Sequence, residues 1–235
     1  MKKIVAICAL AIMSLTTASA ANSNTFNSVQ AAKDVSLDTN PESAFWRGAI
    51  PAYLEVDNFG KRVPRYRTEV LSRWTKGQLY FLFVCPYQKL NLKPGPHTDK
   101  ETNQLWNWDV AEVFIGSDFK NIRHYKEFEI SPQGEWIDLD VNLDKPHHED
   151  GWVWNSGFQV TSRIDTKKKI WYGAMRIPFI AIAPHSPRPG NSFRVNMFRT
   201  EGPAPKTKSI VWQPTMNETF HVPERFGTLV LVPNK

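Results

Sequence analysis

Two tryptophans one residue apart, Trp106 and Trp108, stand directly ahead of a carboxylate at Asp109 and a second at Glu112. The stretch reads QLWNWDVAEVFIG from Gln104 to Gly116, and its second half is rich in β-formers with a weak two-residue alternation. That pattern predicts a strand with one buried face, over Val110 to Ile115. An indole at the mouth of a strand and a carboxylate along it place a flat apolar face beside a hydrogen-bond acceptor. A pyranose ring needs that pair, because it has one apolar face and a rim of donating hydroxyls. Glu112 is read as such an acceptor, since a charged oxygen makes bonds about twice as strong as a neutral one. The plainer reading is a strand carboxylate in an ion pair with Arg194 or Arg199. Trp106 follows a polar loop and is expected at the rim. Trp108 has the opposite parity and is expected in the core, along with Trp46, Trp74, Trp136, Trp154 and Trp171.

Positioning such a site falls to a β-rich scaffold. Strand-like runs occur at Thr68–Trp74, Leu79–Cys85, Val110–Ile115, Tyr125–Ile130, Trp136–Val141, Trp154–Ile164, Ile170–Ile177, Phe193–Arg199, Ile210–Trp212 and Phe226–Val232. Turn signals separate them, including Lys76-Gly77 and Ser131-Pro132-Gln133-Gly134. Helical periodicity is nearly absent, and Phe179 to Ala183 is the one segment that reads as a helical turn. About ten short strands predict an all-β fold, an antiparallel β-sandwich of two sheets. Residues 87–105 form a long polar loop delivering the chain to Trp106, a length that often marks function.

Length and charge narrow the class. The chain has 235 residues. Lys2-Lys3, the apolar run Ile4–Leu15 and Ala18-Ser19-Ala20 make a signal peptide over residues 1–20, cleaved near Ala20. The apolar run is too short for a comfortable membrane span, and Cys8 lacks the small neighbour of a lipidation site. Secreted or periplasmic export follows. Residues 21–44 are polar and read as a flexible segment, leaving 45–235 as one domain. Cys85 is the remaining cysteine, so no internal disulfide is expected. Basic residues exceed acidic ones by only 27 to 23 once Lys2 and Lys3 are removed, and they are scattered, which argues against nucleic acid. His147-His148-Glu149-Asp150 lacks the spacing of a zinc site and reads as a solvated loop.

These parts, in this order, resemble the family 9 carbohydrate-binding modules, in particular the stand-alone, secreted family 9-like domains of bacteria. The pieces are QLYFLF at Gln78–Phe83, WNWDVAEVFIG, YKEFEISPQGEW at Tyr125–Trp136, WYGAMRIPF at Trp171–Phe179, FRVNMFR at Phe193–Arg199, and a close from Trp212 to Gly227. The resemblance implies a non-catalytic domain that stacks a sugar between two tryptophans, matched here by Trp106 and Trp212. It places polar partners on Glu112 and, on the neighbouring strand, Glu129 or Ser131. It assigns His221 to fixing the C-terminal turn. It allows structural calcium, with no ligands mapped, and otherwise no cofactor. The partner would be a mono-, oligo- or polysaccharide, the protein a monomer assisting polysaccharide recognition or catabolism.

Two other classes compete. A glycoside hydrolase needs two carboxylates facing each other across a cleft, and Asp109 and Glu112 point to opposite strand faces. Related sandwich domains hold haem b through methionine with histidine or lysine, for which Met175, Met197 and His97 are the available residue types.

Overall fold

The computed structural model describes residues 24–145 and 152–234. The expected signal peptide and the acidic loop at His147–Asp150 lie outside the described residues. Among these described residues there are twelve strands: β1 (Thr25–Gln30), β2 (Ala52–Leu54), β3 (Thr68–Trp74), β4 (Gln78–Pro86), β5 (Val110–Gly116), β6 (His124–Ile130), β7 (Trp136–Asn142), β8 (Gln159–Asp165), β9 (Ile170–Pro178), β10 (Ser192–Glu201), β11 (Lys208–Val211) and β12 (Gly227–Val232). Among the described residues one four-residue α-helix, α1, spans Phe179–Ile182, where a helical turn is expected. The fold is all-β, as the alternation predicts.

The strands form one continuously hydrogen-bonded sheet in the order β7-β6-β5-β10-β12-β1-β3-β4-β9-β8, with β11 joined to β10 and β2 to β3. The predicted hairpins β3-β4 and β6-β7 are antiparallel neighbours. The sheet folds over on itself, an arrangement that fits a sandwich. Phe81, Phe83 and Met175 from one half share a core with Val113, Met197 and Leu229 from the other. The halves approach tightly at Gly173 of β9, where a methyl group would lie 3.0 Å from the side chain of Ile130 on β6.

The N-terminal segment departs from expectation. Thr25–Gln30 is no flexible leader but the strand that joins the two halves, pairing in parallel with β12 on one side and β3 on the other. Its apolar residues are too few to form a periodic run, yet Phe26 and Val29 are buried. Beyond it, Val35 and Leu37 pack with Trp46, Tyr80 and Leu82 on the outer face of β4. The Trp46 indole donates to the Asp38 carbonyl at 2.8 Å, and the Val35 amide donates to the Tyr80 hydroxyl at 3.2 Å. β4 is therefore covered on both faces, which accounts for its unbroken apolar sequence.

Across β5, β6 and β10 the alternation sorts residues cleanly. Ala111, Val113, Ile115, Phe128, Ile130, Val195 and Met197 face the inner core. Val110, Phe114, Tyr125 and Phe198 face outward into a second cluster with Val141, Trp152 and Val211. The carboxylates of β5 and β6 share that outward face.

Candidate functional site

Trp106 sits in a single 3-10 turn, Leu105–Asn107, entered through Gln104 in the left-handed region at φ 57°. Leu105 is fully buried and anchors the turn, which leaves Trp106 half-buried at the rim. Trp106 and Glu112 line one cleft of about 300 Å³, as the sequence suggests. This lies at the small end of the range for ligand pockets. Trp108, expected in the core, is half-buried and belongs to none of the apolar clusters. Asp109 points elsewhere. Its carboxylate accepts from the Asn91 amide at 2.9 Å and the Gly202 amide at 2.7 Å, fastening two loops.

Residues 218–221, which the sequence does not single out as ligand-binding, also line the cleft. Phe220 stacks on Phe198 of β10 with centroids 4.3 Å apart and 12° between planes. His221 stacks on Phe114 at 5.1 Å, and its Nδ1 lies 2.6 Å from the Tyr125 hydroxyl. His221 thus fixes its own loop and also faces the cleft. Glu218, Thr207 and Ser209 supply exposed or half-exposed polar groups at the rim.

The floor is acidic. Register pairs Glu112 of β5 with Glu129 of β6, and Phe114 with Glu127. Glu112, Glu127 and Glu129 are all buried, each with an oxygen within 4.8 Å of the others'. Burial raises Glu112 well above the usual carboxylate range, reinforced by the Glu127 charge and opposed by the Thr200 hydroxyl. Glu127 is pushed up to about 7 by burial. Burial first, and then the charges of Glu112 and Glu127, raise Glu129. Removing a carboxylate from water disfavours its charged form, and like charges nearby add to that. Glu127 also lies 4.0 Å from His221 Nε2. The Glu127/Glu129 pair was legible as two glutamates alternating with Phe128 and Ile130 on one strand, yet only Glu129 suggests itself from the sequence resemblance. Glu129 sits behind the lining rather than in it.

Three other expectations need correction. Trp212 is 3% exposed and lies in the inner core, 6.2 Å from the Phe26 ring. β11 pairs with β10 so that Val211 opposes Phe198 on the outer face, which turns Ile210 and Trp212 inward. The two tryptophans therefore do not meet across a cleft. Ser131 is buried in the β6-β7 turn, donating to Glu135 at 2.9 Å and accepting from the Gln133 amide at 3.1 Å. It braces a turn and does not line the cleft of Trp106 and Glu112. Neither arginine pairs with Glu112: Arg199 is ion-paired with Glu201 inside the protein, and Arg194 donates to the Asp118 and Ile122 carbonyls. Of the haem-type residues, Met175 and Met197 are packed in the inner core, and His97 is on the half-exposed surface far along the chain in the 87–105 loop.

With this geometry in hand, comparison with known proteins bears on the fold. No protein-family model matches the chain. A curated relative from Arthroderma benhamiae, named "Extracellular protein", is 26% identical over 204 residues, 75% of this chain and 86% of the relative. A candidate carbohydrate-binding protein from Bacteroides uniformis superposes with a TM-score of 0.69 at 15% identity, covering 88% of this chain and 98% of that one. A family 9 carbohydrate-binding module from Caldicellulosiruptor kristjanssonii, solved with cellotriose, gives a TM-score of 0.64 at 10% identity, covering 90% and 95%. Its glucose complex gives 0.63 at 10% identity, covering 90% and 97%. The chain has the fold of the family 9 modules. Among the described residues no helix is long and apolar enough to cross a membrane.

Proposed function

We propose that this protein is a secreted, non-catalytic carbohydrate-binding module whose site is the cleft between Trp106 and the 218–221 loop. The observation that carries the reading is the meeting of a half-buried indole and an acidic floor in one cleft of about 300 Å³, on a fold that bound-sugar structures share. Trp106 offers the stacking surface, with Phe220 as a second aromatic in the same lining. Glu112 and Glu127 accept sugar hydroxyls, and Glu218, Thr207 and Ser209 complete the polar rim. One indole and a few charged hydrogen bonds correspond to micromolar to millimolar affinity, about 4–8 kcal/mol. The neighbours' ligands, glucose and cellotriose, make a β-linked glucan the first substrate class to test.

Export through the N-terminal segment and a role in polysaccharide recognition or breakdown belong to the same proposal, as does a monomeric state. The relative named as extracellular supports export. Hydrolysis is not expected. Glu129 is fully buried and stands behind the lining of the cleft, whereas a glycosidase needs both of its carboxyl groups to flank an accessible bond.

The test is calorimetry of residues 21–235 against glucose, cello-oligosaccharides and xylo-oligosaccharides, with a reducing-sugar assay on the same panel. Saturable binding that Trp106→Ala abolishes supports the reading. Binding unaffected by Trp106→Ala, or steady release of reducing sugar, refutes it.

A further inference from the structure

We propose that Glu112, Glu127 and Glu129 hold a divalent cation of the calcium type in the floor of the cleft, and that this ion contacts the hydroxyls of a bound sugar. The second half of this inference rests on the carbohydrate reading above; the first half does not.

The donor set is three carboxylates converging from two adjacent strands in fixed register. Clustering alone would be unremarkable on a surface, but this cluster is inside the protein. Neither oxygen of Glu129, which is 0% exposed, receives a hydrogen bond from any group outside the cluster, and nor does Glu127 Oε2. Carboxylates buried this deeply are costly to leave unmatched, so they hold a proton, an ion-pair partner or a metal, and a bound cation would take the place of the protons. Among the described residues no lysine or arginine lies within ion-pairing distance of any of the three, and the one basic neighbour is His221, 4.0 Å from Glu127. A histidine at that distance cannot balance three carboxylates. The Thr200 hydroxyl, 3.4 Å from Glu112 Oε1, is a fourth oxygen at hand.

Size and hardness select the ion. Calcium binds oxygens at about 2.3–2.6 Å, so two ligands of one ion stand at most about 5 Å apart. The 4.8 Å limit that contains all three glutamate oxygens falls inside that span. An all-oxygen set disfavours zinc, which prefers nitrogen and sulfur. Calcium takes six to eight oxygens, and one oxygen from each glutamate with the Thr200 hydroxyl makes four. Glu112 and Glu127 line the cleft while Glu129 stands behind them, so the open positions face the cleft, which is also the entry path. A vicinal diol there supplies two neutral oxygens and displaces water from the ion.

The metal arm of the test needs no sugar. Protein stripped with EDTA and desalted is titrated with Ca²⁺, Mg²⁺ and Mn²⁺ by calorimetry and thermal melting, and with Tb³⁺ by luminescence excited through Trp106 at the cleft. One ion per chain is expected, with a melting temperature that climbs with Ca²⁺ concentration. Glu129→Gln removes a buried charge, so it folds without metal, and it should lose the Ca²⁺-dependent rise and the Tb³⁺ signal. Glu127→Gln serves as a second variant with the same expectation. A wild-type protein that binds no ion, or a Glu129→Gln protein with wild-type Ca²⁺ affinity, overturns the site. In the sugar arm, at least a tenfold loss of glycan affinity on chelation is expected, and equal affinity overturns the ion–hydroxyl contact. One ion bound with no glycan retained would sink the carbohydrate reading and keep the site. Glycan bound with no ion would do the reverse.

Discussion

Exchanging Trp212 for alanine separates a core role from a ligand role, and the structure sets the scale. The indole is 3% exposed and packs against Phe26 and the backbone at Gly227, where an added methyl would fall 2.6 Å from its ring. A buried tryptophan removes roughly 200 Å² from water, about 5 kcal/mol at ~25 cal/mol per Å². Truncation at packed sites costs about 3–5 kcal/mol, because the cavity collapses only in part. At about 2–4 °C per kcal/mol for a domain of this size, the melting temperature should fall by roughly 6–20 °C. Glycan affinity, measured well below that temperature, should stay within about threefold of wild type, since the ring does not reach the cleft. Trp106→Ala should do the opposite, with little change in melting and loss of binding. Circular dichroism melts and calorimetry on both variants decide it. If Trp212→Ala melts within about 2 °C of wild type and loses glycan, the burial argument is wrong and the two-tryptophan site stands.

Other perturbations test other parts of the structure. Gly227→Ala places a methyl 2.5 Å from the Asn24 carbonyl oxygen as well as against Trp212, so the strand junction must shift; a cost of about 3 kcal/mol or more in urea unfolding is expected, and a neutral result would refute the close approach. Arg199 is buried between Thr68, whose hydroxyl accepts at 3.1 Å, and Glu201. Arg199→Met should cost about 3–5 kcal/mol by stranding the Glu201 carboxylate, while Arg199→Met with Glu201→Leu should recover most of it. Glu101 has its carboxyl raised from 4.5 to about 7 by burial and by the neighbouring Asp138 carboxylate. The folded state holds that proton more tightly than the unfolded chain, so the contribution is full below about pH 4.5 and is lost as pH rises through about 7. The wild-type minus Glu101→Gln difference in melting temperature should therefore fall between these values, and a flat difference would show that the pair does not share a proton.

Much of the scaffold was legible locally. The two-residue alternation in β3, β6 and β7, the hairpin turns at Lys76-Gly77 and Ser131–Gly134, and the single helical turn at Phe179 are short-range properties of adjacent residues. The pairing of Trp106 with Glu112 was legible for the same reason: a short anchored turn feeds directly into a strand, and six residues of chain fix both. β1 escaped notice because it is a parallel strand whose partners come from the distant β12 and β3. Its two buried apolar residues make no pattern until those partners cover them.

By itself, then, the sequence determined which residues alternate on each strand and that the rim indole and strand carboxylate travel together. Tertiary structure alone decided which face of each strand is covered. It turned Trp212 inward when β11 docked on β10, and it brought Phe220 and His221 over the cleft. It also set Glu112 beside Glu129 and Glu127 through the β5-β6 register. The physical reason is that side-chain parity is local along a strand, whereas burial and register depend on segments that meet only after the sheet folds over.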